Sequence, residues 1–216
     1  MKTPANRPGA RSNGFSLIEL LVVIAVMAIL AGLLFPLAKT AKIKAALRIA
    51  RVELAQISTA IADYKAVNGY YPPDNPANPV LNQLFYELSG TTNNTGAGIF
   101  QTLDGSERIT PGSAAVVFGT AGFMNCDPAG GGSPPAKRYL LGLVPSRSAN
   151  VTAGGSTARI LVCSVRSSAN APAPPLPGQP ELNPWHYVSS HPTNNPASYD
   201  LWVDIFLGGK SYRVSN

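Results

Sequence analysis

The chain has 216 residues, a formal net charge of +6 and only 13% charged residues. Its lysines and arginines form no cluster interleaved with aromatic residues, which excludes the composition typical of a nucleic-acid-binding face. Setting aside the first 14 residues and the apolar stretch that follows them leaves about 175 residues, enough for a single globular domain with its own core. The 20 glycines and 20 prolines predict that this domain is rich in loops and has short strands.

The first 14 residues are basic and contain Pro4 and Pro8, which disfavour a helix. Arg7 and Arg11 are not balanced by any acidic residue there. By the positive-inside tendency, these charges predict that residues 1–14 are a leader on the cytoplasmic side of a membrane.

Residues 15–38 are apolar except for Ser16, Glu19 and a few small residues. At about 1.5 Å per residue, such a helix crosses a bilayer core of about 30 Å. Glu19 inside it needs a cationic partner, because a charge at bilayer depth costs roughly 2.5 to 3.5 kcal/mol even on the mildest scale. A backbone cut between Gly14 and Phe15 would create an α-amino group one helical turn from Glu19.

The run F-S-L-I-E-L-L-V-V-I-A-V-M-A-I-L-A directly after Gly14 resembles the class III signal of type IV pilins and type II secretion pseudopilins. The resemblance implies that a membrane peptidase cuts after Gly14 and methylates the new N-terminal Phe15. It also implies that the retained helix anchors the subunit in the lipid bilayer and packs it into a filament, with Glu19 acting in assembly. The proline at position 36 falls on the same pattern.

Two other interpretations of the apolar run stay open. An ordinary secretory signal would be cut after its apolar region, near Ala31 or beyond. An uncleaved signal anchor explains the hydrophobicity and the flanking charge, but it explains neither Glu19 nor the glycine before Phe15.

Residues 39–68 continue the helix in amphipathic form. The apolar positions recur at steps of three and four residues: Ile43, Leu47, Ala50, Leu54, Ile57, Ile61 and Tyr64. Asn68-Gly69 predicts a left-handed stop. The stripe is too short for an extended coiled coil, which favours a helix packed on its own domain.

Residues 69–216 are expected to form an extracytoplasmic globular domain. It opens with the step Gly69-Tyr70-Tyr71-Pro72, which is also usual in the secretion pseudopilins. A weak helical pattern over 80–88 is followed by a Thr/Asn/Gly-rich stretch, residues 90–98, that predicts a loop. Short apolar runs predict strands at Ala114–Phe118, Tyr139–Val144 and Ala158–Val165, and the glycine-rich and proline-rich stretches 127–135 and 167–184 predict loops.

The C-terminal stretch alternates strictly in polarity from Tyr199 to Leu207 and predicts a strand. Gly208-Gly209 then turns the chain into a second strand of a hairpin. The segment resembles the C-terminal part of major pseudopilins, where a loop binds calcium, and only Asp200 and Asp204 match the ligands of that loop. Two carboxylates four residues apart on a strand are about 13 Å apart, too far to share one ion unless a bulge intervenes, so solvated strand acids are the alternative.

Other candidate chemistry is sparse. Cys126 and Cys163 are the only cysteines, the right number for one disulfide in an oxidising compartment, although Cys163 in mid-strand also fits a buried apolar residue. His186 and His191 belong to no catalytic or metal-binding motif. No catalytic residue is therefore predicted, and no cofactor other than the possible calcium ion.

These observations predict an α+β fold, in which a long N-terminal α-helix packs on a small antiparallel β-sheet. The resemblance implies a non-enzymatic filament subunit of the bacterial inner membrane, with its C-terminal domain in the periplasm. Its partners would be a prepilin peptidase and methyltransferase, related pilin-like subunits, an inner-membrane assembly platform and the lipid bilayer, and not nucleic acid. The Tyr-Pro step and the Y-D-L-W segment favour a type II secretion pseudopilin; a type IV pilin and a membrane-anchored extracytoplasmic enzyme or binding protein are the alternatives.

Overall fold

A computed structural model describes residues 15–94, 96–127, 135–142, 144–168, 170–172 and 174–216, and for residues 33–38 it describes the backbone alone. The chain divides into two compact units, Met1–Lys42 and Ile43–Asn216. The predicted leader, residues 1–14, lies outside the described residues.

The longest element is helix α1, Leu17–Asn68, which belongs to both units. It ends where the sequence predicts, because Gly69 has a φ of 84°, a conformation that glycine adopts without steric cost. The Gly69 N–H donates to the Lys65 carbonyl at 2.8 Å and closes the last turn.

In the second unit, the apolar stripe of α1 is the buried face, as predicted. Ala50, Leu54, Ile57, Ile61 and Tyr64 are each at most 8% exposed and belong to the hydrophobic core. The helix is therefore packed on its own domain, and the predicted α+β fold with a long N-terminal helix is confirmed.

Helix α2, Leu84–Ser89, leads into a four-stranded sheet with the order β3-β2-β1-β4. Its strands are β1 Thr91–Asn94, β2 Ile99–Thr102, β3 Arg108–Ile109 and β4 Cys126–Asp127. Three strands pair antiparallel, whereas β4 lies parallel to β1. The loop predicted for residues 90–98 is wrong in its first half, because the polar strand β1 is held by its pairing partners and shows no apolar alternation.

Residues 111–118 form helix α3, Pro111–Phe118, so the strand predicted at Ala114–Phe118 is wrong. The Thr110 hydroxyl caps the helix by accepting a hydrogen bond from the Ser113 N–H at 3.1 Å. Pro111 occupies the first turn, where no N–H is needed. The short apolar run fits a buried helix face as well as a strand, and the cap decides between them.

A second sheet has the order β5-β6-β7, all antiparallel. Its strands are β5 Ser148–Ala153, β6 Ser156–Cys163 and β7 Asn183–Pro184, so the strand predicted at Ala158–Val165 is confirmed but begins and ends two residues earlier. The strand predicted at Tyr139–Val144 does not form in the described part of that stretch. Instead, the N–H groups of Tyr139 and Leu140 both donate to the Leu88 carbonyl, at 2.9 and 3.2 Å, which is incompatible with a ladder.

The third sheet confirms the predicted C-terminal hairpin. Its order is β10-β9-β8, with β8 His186–Val188, β9 Asp200–Leu207 and β10 Lys210–Ser215. Leu201, Val203 and Ile205 on β9 are fully buried, as the alternation requires. Gly208 and Gly209 both have positive φ, which matches the twist of a tight two-residue hairpin turn.

Two buried carboxylates fasten α1 to the rest of the second unit. Glu53 on α1 accepts hydrogen bonds from the N–H and the hydroxyl of Ser164, which follows β6. Glu87 on α2 accepts from the Tyr64 hydroxyl at 3.0 Å and from the N–H of Asn125 at 2.9 Å. Burial raises the pKa of Glu87, and the donors that point at it oppose this shift.

Candidate processing and assembly segment

Phe15, the predicted methylation site, lies just outside α1 and is 80% exposed. Gly14, on the other side of the predicted cut, lies outside the described residues. The residue that would carry the new amine is therefore accessible and not held in the helix.

Ser16 and Glu19 form a reciprocal cap at the start of α1. The Glu19 Oε2 accepts a hydrogen bond from the Ser16 N–H at 2.8 Å, and the Ser16 Oγ accepts one from the Glu19 N–H at 3.2 Å. This is a capping box, which satisfies two N–H groups that a helix start leaves unpaired. The S-x-x-E signal for this cap is local in the sequence, but the prediction for Glu19 rested only on its charge and its need for a cation.

Glu19 is also the only charged residue between Phe15 and Gly32. Its side chain is exposed at the first turn of α1, one helical turn from Phe15. The carboxylate therefore has a local structural role and stays open to further partners. Its pairing with an amine stays a prediction.

The segment that follows exposes apolar side chains on every side of the helix. From Leu17 to Leu30, the large apolar side chains are 46% to 84% exposed. A continuous apolar surface of this kind is normally covered by lipid or by another protein chain. Within the part of the chain that the structure describes, no helix reaches the combined length and hydropathy of a membrane span.

The predicted disulfide is absent, because Cys126 and Cys163 are both free thiols. Cys126 lies on β4 of the four-stranded sheet, whereas Cys163 ends β6 of another sheet. Cys163 is fully buried, and burial raises its pKa to about 12, so its thiol behaves as an apolar core group. The prediction failed because a count of two cysteines carries no information about their distance.

Asp200, one of the two candidate calcium ligands, is 3% exposed and surrounded by hydrogen-bond donors. Its carboxylate accepts hydrogen bonds from the backbone N–H groups of Thr193, Asn194 and Asn195 at 2.8, 3.0 and 2.9 Å. The side chains of the same three residues donate to it as well. Calcium requires six to eight oxygen ligands, and this ring of N–H donors does not supply them.

Asp204, the second candidate ligand, is engaged elsewhere. It accepts two hydrogen bonds from the Arg213 guanidinium across the β9–β10 hairpin, both at 2.8 Å. Among the described residues, no group of three or more His, Cys, Asp or Glu side chains is placed to hold a metal ion. The residues present therefore do not fit the calcium site that the resemblance suggested.

The histidines are not arranged for catalysis in the described part of the chain. The His186 ring stacks on Trp202 with the ring centroids 4.8 Å apart, and burial lowers its pKa. His191 lies exposed in the loop between β8 and β9. A cavity of about 330 Å³ lies between the 78–81, 151–153 and 175–179 segments, and no titratable side chain lines it.

The comparisons with known proteins bear on the N-terminal segment alone. A family model described as the prokaryotic N-terminal methylation motif matches residues 9–35. No curated protein and no solved structure matches the chain.

The match supports a prepilin-like signal, the type carried by pilin-like and pseudopilin substrates of prepilin peptidase. It implies a membrane-anchored N-terminus and indicates a structural, pilin-like protein. It also implies assembly into pilin-like filaments.

Proposed function

We propose that this chain is a structural subunit of a type II secretion pseudopilus. In this proposal, prepilin peptidase cuts between Gly14 and Phe15 and the new N-terminus is methylated. Residues 15–38 then anchor the subunit in the bacterial inner membrane, and residues 69–216 lie in the periplasm. Subunits are added to the filament at an inner-membrane assembly platform.

The observation that carries the proposal is the apolar surface of α1 between Leu17 and Leu30, interrupted by Glu19 alone and lying within the matched methylation motif. A lipid bilayer covers this surface before assembly, and neighbouring copies of the helix cover it in a filament. The same side chains therefore serve both the anchored and the assembled state.

Glu19 would set the stagger between neighbouring subunits. The carboxylate accepts one hydrogen bond from Ser16 and has room for an ionic partner. In the filament, that partner is the methylated Phe15 amine of the next subunit. A stagger that leaves either charge alone in apolar surroundings costs several kcal/mol, so the pair selects one register.

Electron microscopy of cells that express Glu19→Leu tests this proposal. We expect the variant to be cleaved and inserted normally but to form no filaments. Ser16→Ala is the first control, because it removes the hydroxyl half of the capping box and keeps the carboxylate, and it should still assemble. Glu181→Leu is the second, because it removes an exposed carboxylate from the second unit. Filaments of normal length from Glu19→Leu would contradict the proposal.

The choice of a pseudopilus over a type IV pilus rests on Tyr70-Tyr71-Pro72 and on the segment Tyr199-Asp200-Leu201-Trp202. Deletion of the gene in the source bacterium distinguishes a pseudopilus subunit from a type IV pilin. We expect exported enzymes to accumulate in the periplasm while surface pili are retained. Loss of surface pili with normal enzyme export would identify a type IV pilin instead.

A further inference from the structure

The second unit carries an unpaired basic face on α1. Lys44, Arg48 and Arg51 are spaced by four and three residues, so they lie on one side of the helix, and all three are exposed. These three residues are called the basic face below.

The charge of this face is not neutralised within the protein. Ion pairs among the described residues involve Arg138, Arg147, Arg159 and Arg213, and none involves the basic face. The nearest carboxylate along the helix, Glu53, is buried and bound to Ser164.

Outside the predicted leader, the excess positive charge of the chain is concentrated around this face. Residues 69–216 contain eight basic and eight acidic residues and are formally neutral. Residues 39–51 contain five basic residues and no acidic one. The surface is therefore complementary to an anionic partner, and residues 69–216 offer no corresponding excess of acidic residues for a second copy to supply.

We propose that the basic face binds the phosphate headgroups of anionic phospholipids. The inference rests on the proposed function, because it requires residues 15–38 to be anchored in a bilayer. Lys44 follows the apolar run by six residues, about 9 Å of helix, and helical side chains slant toward the N-terminus, here toward the membrane. Lysine and arginine side chains reach back to headgroups in this way.

The expected size of the effect follows from surface electrostatics. One basic residue close to an anionic leaflet contributes about five-fold to partitioning at physiological salt, and the effect decays within a Debye length of about 8 Å. Lys44 starts about 9 Å along the helix from the apolar run and reaches back toward the headgroups, so it should contribute most of the effect, whereas Arg48 and Arg51 start further away and should contribute less.

Electron spin resonance of the full chain in phosphatidylcholine vesicles tests the proposal, with trace spin-labelled phosphatidylglycerol or phosphatidylcholine as the probe. We expect the wild type to prefer phosphatidylglycerol by more than about five-fold at low salt and to lose much of this preference at high salt. The variant Lys44→Gln/Arg48→Gln/Arg51→Gln should lose a factor of about five and keep the part of the preference that Lys39 and Lys42 contribute. The matched control, Arg108→Gln/Arg166→Gln/Lys210→Gln, removes the same charge from the sheets and loops and should behave like the wild type.

The outcomes separate the two proposals. A protein that inserts but shows no preference, or a basic-face variant that keeps the full preference, overturns lipid binding and leaves the pseudopilin proposal intact. Chemical crosslinking of the same proteins tests a second copy as the partner. If the wild type shows no lipid preference and the basic-face variant loses crosslinking between subunits, the partner is a second copy and lipid binding is overturned. A protein that does not insert contradicts both proposals.

Discussion

At the scale of single residues, Asp200 is a buried carboxylate whose hydrogen-bond partners all belong to the loop that precedes its own strand. Burial alone would raise its pKa, but the N–H groups of Asn194, Thr193 and Asn195 lower it below its ordinary value. A lowered pKa means that the carboxylate stabilises the fold above pH ~4, and that this contribution is lost as the pH falls below that value.

Replacing Asp200 by asparagine should therefore destabilise the second unit at neutral pH. An amide has only one acceptor oxygen, so donors of residues 193–195 lose their partner, at a cost of about 2 to 3 kcal/mol. Urea unfolding of the full chain in detergent measures this loss at pH 7, and the difference from the wild type should shrink at pH 3.

Asp204→Asn is the matched control on the same strand. Its partner Arg213 is 61% exposed, so the change should cost about 1 kcal/mol or less.

Calcium should not stabilise the protein, so the melting temperature of the wild type should be the same in excess calcium as in excess EGTA. Stabilisation by calcium that Asp200→Asn abolishes would contradict the present assignment of this residue.

The sequence indicated the position of Asp200 but not its surroundings. Its donors come from a loop between β8 and β9 that closes back on β9, and no periodic pattern encodes such a closure. Glu19 was different, because both its apolar context and its cap partner Ser16 are local in sequence.

At the scale of secondary-structure elements, prediction succeeded where a pattern was long. The stripe on α1 and the alternation on β9 each persist over many residues, and a shift of register would expose the apolar set. Prediction failed at β1 and α3, because four and eight residues are too few to distinguish the repeat of a helix from that of a strand.

The contribution of the Thr110 cap to the stability of helix α3 can be tested by substitution. Thr110→Ala should destabilise the fold by about 1 kcal/mol, because the Ser113 N–H loses its acceptor at the helix start. Thr110→Ser keeps the hydroxyl and should recover most of the loss in the same urea titration. An equal loss in both variants would show that packing of the threonine methyl group, rather than the cap, is responsible.

At the scale of the whole molecule, the α+β class was predictable but the division into three small sheets was not. The chain order of the strands does not reveal that β4 adds to β1 in parallel or that β7 pairs with β6. These contacts join segments far apart in sequence, so no local pattern encodes them.

The fold also requires no crosslink. Alkylation of the unfolded, unreduced protein should label both Cys126 and Cys163, and a reductant should leave the melting temperature unchanged. A disulfide between Cys126 and Cys163 would contribute about 3 to 4 kcal/mol of stability, so its reduction would lower the melting temperature measurably. Protein that is reduced before alkylation serves as the control, and labelling only after reduction would contradict the free-thiol assignment.

The proposed function depends most on processing of the N-terminus, which can be tested by measuring the intact mass of the protein extracted from membranes. We expect a chain that begins at Phe15 and carries one added methyl group. Replacing Gly14 by a bulky residue should yield the uncut precursor, which confirms that the mass reports the cleavage. A mature protein that begins at Met1, or anywhere beyond Ala31, would contradict the account.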